Sequence, residues 1–125
     1  MTNLTQTRMA YGEALLELGR QRRNIVVLDA DLYTSTRSEL FAKEFPERFF
    51  DIGIAEQDLV STSAGLAASG LIPYCNSFAI FLTGRCYDQI RTQVAYPTLP
   101  VKMVGSSAGL TQGPDGATHQ SLEDV

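Results

Sequence analysis

Glu56 is the residue in this chain whose neighbours best suit it to chemistry. It lies in Gly53-Ile54-Ala55-Glu56-Gln57, between a run that reads as a strand, Arg48-Phe49-Phe50-Asp51-Ile52, and an apolar helix from Asp58 to Gly70. A carboxylate at such a junction sits at the positive end of a helix dipole, beside the open edge of a sheet. There it can meet a ligand or simply favour the dipole. His119, the single histidine, ends the run Gly113-Pro114-Asp115-Gly116-Ala117-Thr118-His119. The glycines and proline set a turn that displays the Asp115 carboxylate and an imidazole suited to proton transfer near neutrality, although a lone loop histidine is often only a surface group. Phe78 and Phe81, three residues apart, share one face of a helix or its entry loop. They are either core or an aromatic wall for a flat heterocycle.

Other chemistries lack their motifs. No GxGxxG follows a strand and no GxxxxGK[ST] is present, which disfavours a dehydrogenase-like nucleotide domain and a phosphate-cradling loop. No nucleophile elbow supports Ser-His-Asp hydrolysis. Cys75 and Cys86 make neither a CxxC pair nor a Cys/His cluster, so no metal site is expected. The net charge of −4 argues against nucleic acid, the one basic cluster being Arg20-Gln21-Arg22-Arg23, read as the cationic end of a helix. No apolar run approaches the ~20 residues of a membrane span, and the polar N-terminus has no signal-peptide core. A soluble, reduced, cytoplasmic protein is expected.

The elements that must position these residues alternate. Thr7 to Leu18 has helical spacing through Ala10, Ala14 and Leu18, and Gly19 is expected to stop it. Ile25-Val26-Val27-Leu28 is a continuous apolar run, as in a strand covered on both faces, and Asp29-Ala30-Asp31 closes it with two carboxylates. A short helix from Ser38 to Phe45 is closed by Pro46. After the Glu56 helix come a strand at Leu71-Ile72-Pro73-Tyr74, a long helix from Phe78 to Tyr96, and a strand at Val101-Lys102-Met103-Val104. A glycine-rich loop, Gly105 to Gly116, then leads to a helix expected to open at Thr118. This predicts one α/β domain over residues 1–125, with a mainly parallel sheet and helices on both faces. Because the last helix breaks off after about two turns, which is marginal for a helix, the domain is expected to be truncated at its C-terminal end.

Taken together and in order, Asp29-Ala30-Asp31-Leu32, Asp51-Ile52-Gly53-Ile54-Ala55-Glu56-Gln57, Phe78 with Phe81, and Gly113-Pro114-Asp115-Gly116-Ala117-Thr118-His119-Gln120 carry a family resemblance. The chain resembles the pyrimidine-binding domain of transketolases and related thiamine-diphosphate enzymes, most of all the C-terminal subunit of a split transketolase. The resemblance covers nearly all of the chain from Thr7 onward. It implies that Glu56 hydrogen-bonds N1′ of the cofactor's aminopyrimidine and so activates the cofactor, and that Phe78 and Phe81 enclose that ring. A buried apolar setting is expected to keep the Glu56 proton available by desolvation. By the same resemblance His119 is catalytic and faces the substrate, Asp115 reads a sugar hydroxyl, and Asp31 lies near the cofactor and substrate channel. Arg8 and Ser35 match positions that hold a sugar phosphate.

Two departures bear on function. Where transketolases carry a further histidine at the end of the last strand, this chain has Ser107, which opens the identity of the sugar. The Arg85-Cys86-Tyr87-Asp88-Gln89 run is similar to 1-deoxyxylulose-5-phosphate synthase, an acyl-transferring alternative. Also missing is the Gly-Asp-Gly…Asn segment that holds Mg²⁺ and the diphosphate, so a partner subunit or domain is implied for both. The family builds its sites between two such domains, which implies a homodimer or heterotetramer acting on sugars or sugar phosphates. The expected reaction is transfer of a two-carbon ketol unit. A non-catalytic or truncated binding module is the remaining alternative.

Overall fold

The computed structural model describes residues 4–110 and 112–123. Its elements run α1 (Thr7–Gln21), β1 (Ile25–Asp29), α2 (Tyr33–Thr36), α3 (Glu39–Glu44), β2 (Phe49–Asp51), α4 (Glu56–Ala68), β3 (Ile72–Phe78), α5 (Tyr87–Gln89) and β4 (Lys102–Ser106). Short 3₁₀ turns at Pro46–Arg48 and Gly116–His119, and π-helical turns at Phe81–Arg85 and Ile90–Ala95, complete the described residues.

The four strands form one sheet in the order β2-β1-β3-β4, every pair parallel. The apolar run at β1 is central because it is buried on both faces, and alternate residues serve different layers. Val26 and Leu28 pack with Leu59, Val60 and Ala64 of α4 and with Leu82 and Val94. Ile25 and Val27 pack with Leu15 of α1 and Phe41 of α3. Helices therefore cover both faces, as expected. Burying each such aliphatic side chain contributes about 1.5–3 kcal/mol, and two separate apolar layers hold the strand ends in place.

Several boundaries differ from the sequence reading. Gly19 lies inside α1 rather than ending it, because a side chain there would meet Phe41 Cε2 at 2.5 Å and Phe45 Cε2 at 2.9 Å. The glycine serves close helix packing. The helix does end within the basic cluster, with Arg20 in its last turn and the Arg22 N–H donating to the Leu18 carbonyl, but the Arg20 guanidinium serves a tertiary contact. Arg20 turns sideways to Glu44 at 2.7 Å, while Arg48 donates to the carbonyls of Gly19, Arg22 and Ile25 and stacks over Phe45 at 3.9 Å.

β3 runs on to Phe78, so Phe78 ends a strand instead of opening a helix. The segment after it winds as π, α and π turns rather than one regular helix. The helix expected from Thr118 is a 3₁₀ turn ending at His119, and Ser121 then pairs antiparallel with Gly109. The expected domain end at Val125 lies outside the described residues. Cys75 and Cys86 are both buried in one apolar cluster, and burial pushes their thiols up, to about 12 and about 11. They act as small apolar filling. Among the described residues no helix is long and apolar enough to cross a membrane.

Candidate functional site

Strand order brings the carboxyl ends of β1, β2, β3 and β4 to one edge, and the chemistry-bearing residues gather there. At the end of β1, the buried Asp29 carboxylate accepts from the Leu32 N–H (2.7 Å), the Thr36 hydroxyl (2.8 Å) and the Ser38 hydroxyl (2.8 Å). Burial pushes its carboxyl up and these three donors offset part of that rise. The network fastens the loop that carries Asp31 and Ser35. Asp51, at the end of β2, accepts from the N–H groups of Asp31 (3.0 Å) and Gly53 (2.9 Å), joining the two strand ends. Asp31 holds a left-handed backbone at φ 58°, and Gly53 does so at 77°, where the lack of a Cβ removes the strain.

Glu56 is the first residue of α4 and its side chain is only 4% exposed. Its setting is not apolar. Arg85 Nη1 donates to Glu56 Oε2 at 2.9 Å, so a half-exposed guanidinium faces the buried carboxylate. Ile54, Ala55, Gln57 and Asp58 complete a cavity of about 440 Å³ around the pair.

The Arg85 guanidinium also lies over the Phe81 ring, 4.1 Å from its centroid. Phe81 in turn meets His119 edge-on at 5.1 Å, and His119 meets Phe78 in the same manner at 6.1 Å. Glu56, Arg85, Phe81, His119 and Phe78 thus form one chain of contacts, in which Glu56 and Phe78 are buried. The two phenylalanine rings are 6.3 Å apart and tilted by 32°. A third ring stacked between them needs about 7–8 Å, two contacts of 3.5–4.0 Å, so they present a wall rather than a pair of jaws. The Thr118 hydroxyl lies 2.9 Å from His119 Nδ1.

A second and larger cleft, about 840 Å³, opens between α1 and the loop after β4. Arg8, Ser35, Tyr11 and Ser107 line it, together with Gln112, Gly113 and Pro114. Arg8 and Ser35, 27 positions apart in sequence, are brought to one wall; Arg8 Nε donates to Gln6 at 3.0 Å. Tyr11 donates a short hydrogen bond to Asn76, whose amide donates to the Leu28 carbonyl at 2.9 Å. Burial pushes the Tyr11 phenol up, so it stays a donor. Asp115 is exposed next to this cleft and accepts from Gln112. Asp31 stands on the same sheet edge but lines neither of these two cavities.

Sequence reasoning missed Arg85 as a site residue and Asp29 as an anchor. Arg85 sits in a run of mixed polarity whose placement depends on a π turn. For Asp29, the signal available was an acidic residue ending an apolar strand, followed by hydroxyl-bearing Thr36 and Ser38.

Comparison with known proteins places this geometry among relatives. Residues 4–125 match the family model described as transketolase, pyrimidine binding domain. The chain is 54% identical over 118 residues to a protein of Methanocaldococcus jannaschii named as a transketolase C-terminal section, covering 94% of this chain and 37% of that protein. A 1-deoxy-D-xylulose-5-phosphate synthase of Mycolicibacterium gilvum is 44% identical over 93% of this chain and 18% of its own length. A solved structure described as a split gene transketolase, inactive beta4 tetramer, is 52% identical with a TM-score of 0.80, covering 94% of this chain and 37% of that one. The chain therefore spans little more than a third of the length of these two split-transketolase relatives.

Proposed function

The chain belongs to the transketolase family, as its pyrimidine-binding domain, and on that premise we propose that it forms half of a thiamine-diphosphate active site that transfers a two-carbon ketol unit between sugars. The carrying observation is the buried Glu56 carboxylate at the start of α4, open to a cavity and continuous with the Phe78–His119–Phe81 wall. A buried carboxylate beside aromatic rings fits an aminopyrimidine, which offers a ring nitrogen to the acid and a flat face to the wall. When bound, the cofactor supplies a nucleophilic carbon that accepts and hands on the ketol unit.

The chain's own residues have separable roles in this reading. Glu56 exchanges a proton with N1′ of the ring. Phe78 and Phe81 form an apolar surface for the ring and exclude water from it. His119, edge-on to both rings, carries an imidazole toward the substrate side, where it can move a proton to or from a sugar hydroxyl. Asp115 and Asp31 read hydroxyls at the channel mouth. Arg8 and Ser35 hold the phosphate of a sugar phosphate in the larger cleft. A guanidinium forks onto phosphate oxygens, and Ser107, in the same cleft, is smaller than a histidine and brings no positive charge.

Mg²⁺ and the diphosphate fall to a partner subunit or domain, giving a cytoplasmic homodimer or heterotetramer. Support comes from the missing Gly-Asp-Gly…Asn segment and from the coverage of about a third of each split relative. An acyl-transferring activity like that of the synthase relatives uses the same Glu56 and aromatic wall, and the Arg85-to-Gln89 run favours it as the second reading. Donor assays separate the two, since ketose donors serve the first and acyl donors the second.

The deciding variant is Glu56→Gln in the assembled complex. The substituted side chain keeps its size and loses its proton-exchange capacity, so turnover should fall at least about 100-fold, the scale of a lost general acid–base contribution. Circular dichroism and melting temperature should stay as in the parent. Undiminished turnover by this variant sinks the reading.

A further inference from the structure

We propose that Arg85 is a positioning residue for Glu56, and that it fixes which carboxylate oxygen is presented to the cofactor ring. The inference rests on the pyrimidine-activating reading of Glu56. Three contacts hold Arg85 from different directions. Its Nη1 donates to Glu56 Oε2 at 2.9 Å, its guanidinium lies 4.1 Å from the Phe81 centroid, and its main-chain carbonyl accepts from Gln57 Nε2 at 2.9 Å. Consecutive residues, Glu56 and Gln57, thus grip the side chain and the backbone of the same arginine.

The π turn at Phe81–Arg85 makes this possible. It starts at the aromatic wall and ends at the ion pair, and π turns occur frequently at functional sites. With Oε2 tied to a planar cation, the carboxylate cannot spin freely about its last torsion, and Oε1 takes a defined direction relative to the Phe81 ring. A guanidinium suits this because it binds an oxygen in its plane and an aromatic ring on its face at once, which an ammonium does not.

A merely structural ion pair is the competing account. Arg85 is 50% exposed but Glu56 only 4%, so loss of Arg85 leaves a buried carboxylate without its partner and should lower the melt. Arg85→Lys keeps the charge, so it should restore the melt without restoring how Glu56 meets the ring. A second competitor is that the guanidinium stands where the ring must go and leaves when the cofactor binds.

The test uses the complex assembled on tagged chain from native extract, with Mg²⁺ and thiamine diphosphate and no sugar. Two quantities are read: the cofactor dissociation constant and the rate of deuterium exchange at the cofactor's thiazolium C2. Arg85→Ala should slow exchange about ten- to a hundredfold, the worth of a charged hydrogen bond, and weaken cofactor binding, with a lower melting temperature that Arg85→Lys restores. Arg85→Lys should recover the binding loss in part and the exchange rate least, because it restores charge without the planar fork. Unchanged exchange in Arg85→Ala, or tighter cofactor binding, overturns the positioning role; the tighter result identifies a displaced stand-in. Glu56→Gln is run in parallel. If it exchanges at the parent rate, the reading of Glu56 itself has failed, a result distinct from failure of Arg85 alone.

Discussion

At the residue scale, the two cavities divide the work that one motif list had pooled. Glu56 and Arg85 line the smaller cavity, with the Phe81 ring reached through Arg85, and Arg8 and Ser35 line the larger. The separation makes a specific kinetic expectation. Arg8→Ala removes one charge-assisted contact to a phosphate, worth about 1.5–3 kcal/mol. KM for a phosphorylated sugar should rise about 10- to 100-fold, with kcat nearly constant, because binding and transition state lose the same contact. The matching unphosphorylated sugar should show no change. A fall in kcat with both sugars, measured side by side, would place Arg8 at the reacting carbons instead. Ser107, in the same cleft, adds a hydroxyl at φ 57°, a left-handed backbone that a branched side chain would strain.

At the element scale, helix α1 is shaped by what presses against it. A Cβ at Gly12 would stand 2.7 Å from the Arg37 carbonyl oxygen, and one at Gly19 2.5 Å from Phe41. Gly19→Ala improves helix propensity by about 1 kcal/mol but overpacks the α1–α3 contact. The clash should dominate and the protein should lose about 1–2 kcal/mol, read as a lower urea midpoint at unchanged slope. Gly65 of α4 is the internal control. It is exposed with nothing within 4 Å of a built Cβ, so Gly65→Ala should raise stability by about 0.4–1 kcal/mol. Equal effects at the two positions would show that propensity, not packing, governs both helices.

Across the whole molecule, the buried carboxylate of Asp29 ties acid stability to the site's architecture. Its folded carboxyl is raised above the ordinary 3.8, chiefly by burial. The folded state therefore binds the proton more tightly than the unfolded chain. Asp29's titration stabilises the fold fully below the unfolded value, and that contribution is lost as pH rises through the raised folded value. Against Asp29→Asn, which does not titrate, the parent should look most favourable near pH 3 and progressively less so above it. Urea midpoints of the two proteins from pH 3 to 7 check the sign. A difference that grows with pH would mean that the hydrogen bonds from Leu32, Thr36 and Ser38 outweigh burial. The same network holds the loop bearing Asp31 and Ser35, so acid effects on stability and on the cleft should move together.

How much of this was readable from the chain follows from the range of the forces involved. The β1 run, the alternation of helix and strand, and the dipole-favoured position of Glu56 are local, set by side-chain pattern and neighbouring turns, and the linear order displays them. The ordered motifs around Glu56 and His119 also carried the family resemblance, and the family model matches residues 4–125. What the chain could not display are contacts between distant segments. Gly19 reads as a stop until Phe41 and Phe45, more than 20 residues on, are seen to need its missing side chain. Arg20 stands at the helix end as its sequence suggests, but its pairing with Glu44 and the hold of Arg48 on the Gly19 carbonyl are long-range. Arg85 is in the sequence only one member of a polar run, until a π turn brings it onto Phe81 and Glu56. Local propensity chose the elements, while packing and charge pairing across them, available only once the chain had closed on itself, chose which side chains meet at the sheet's edge.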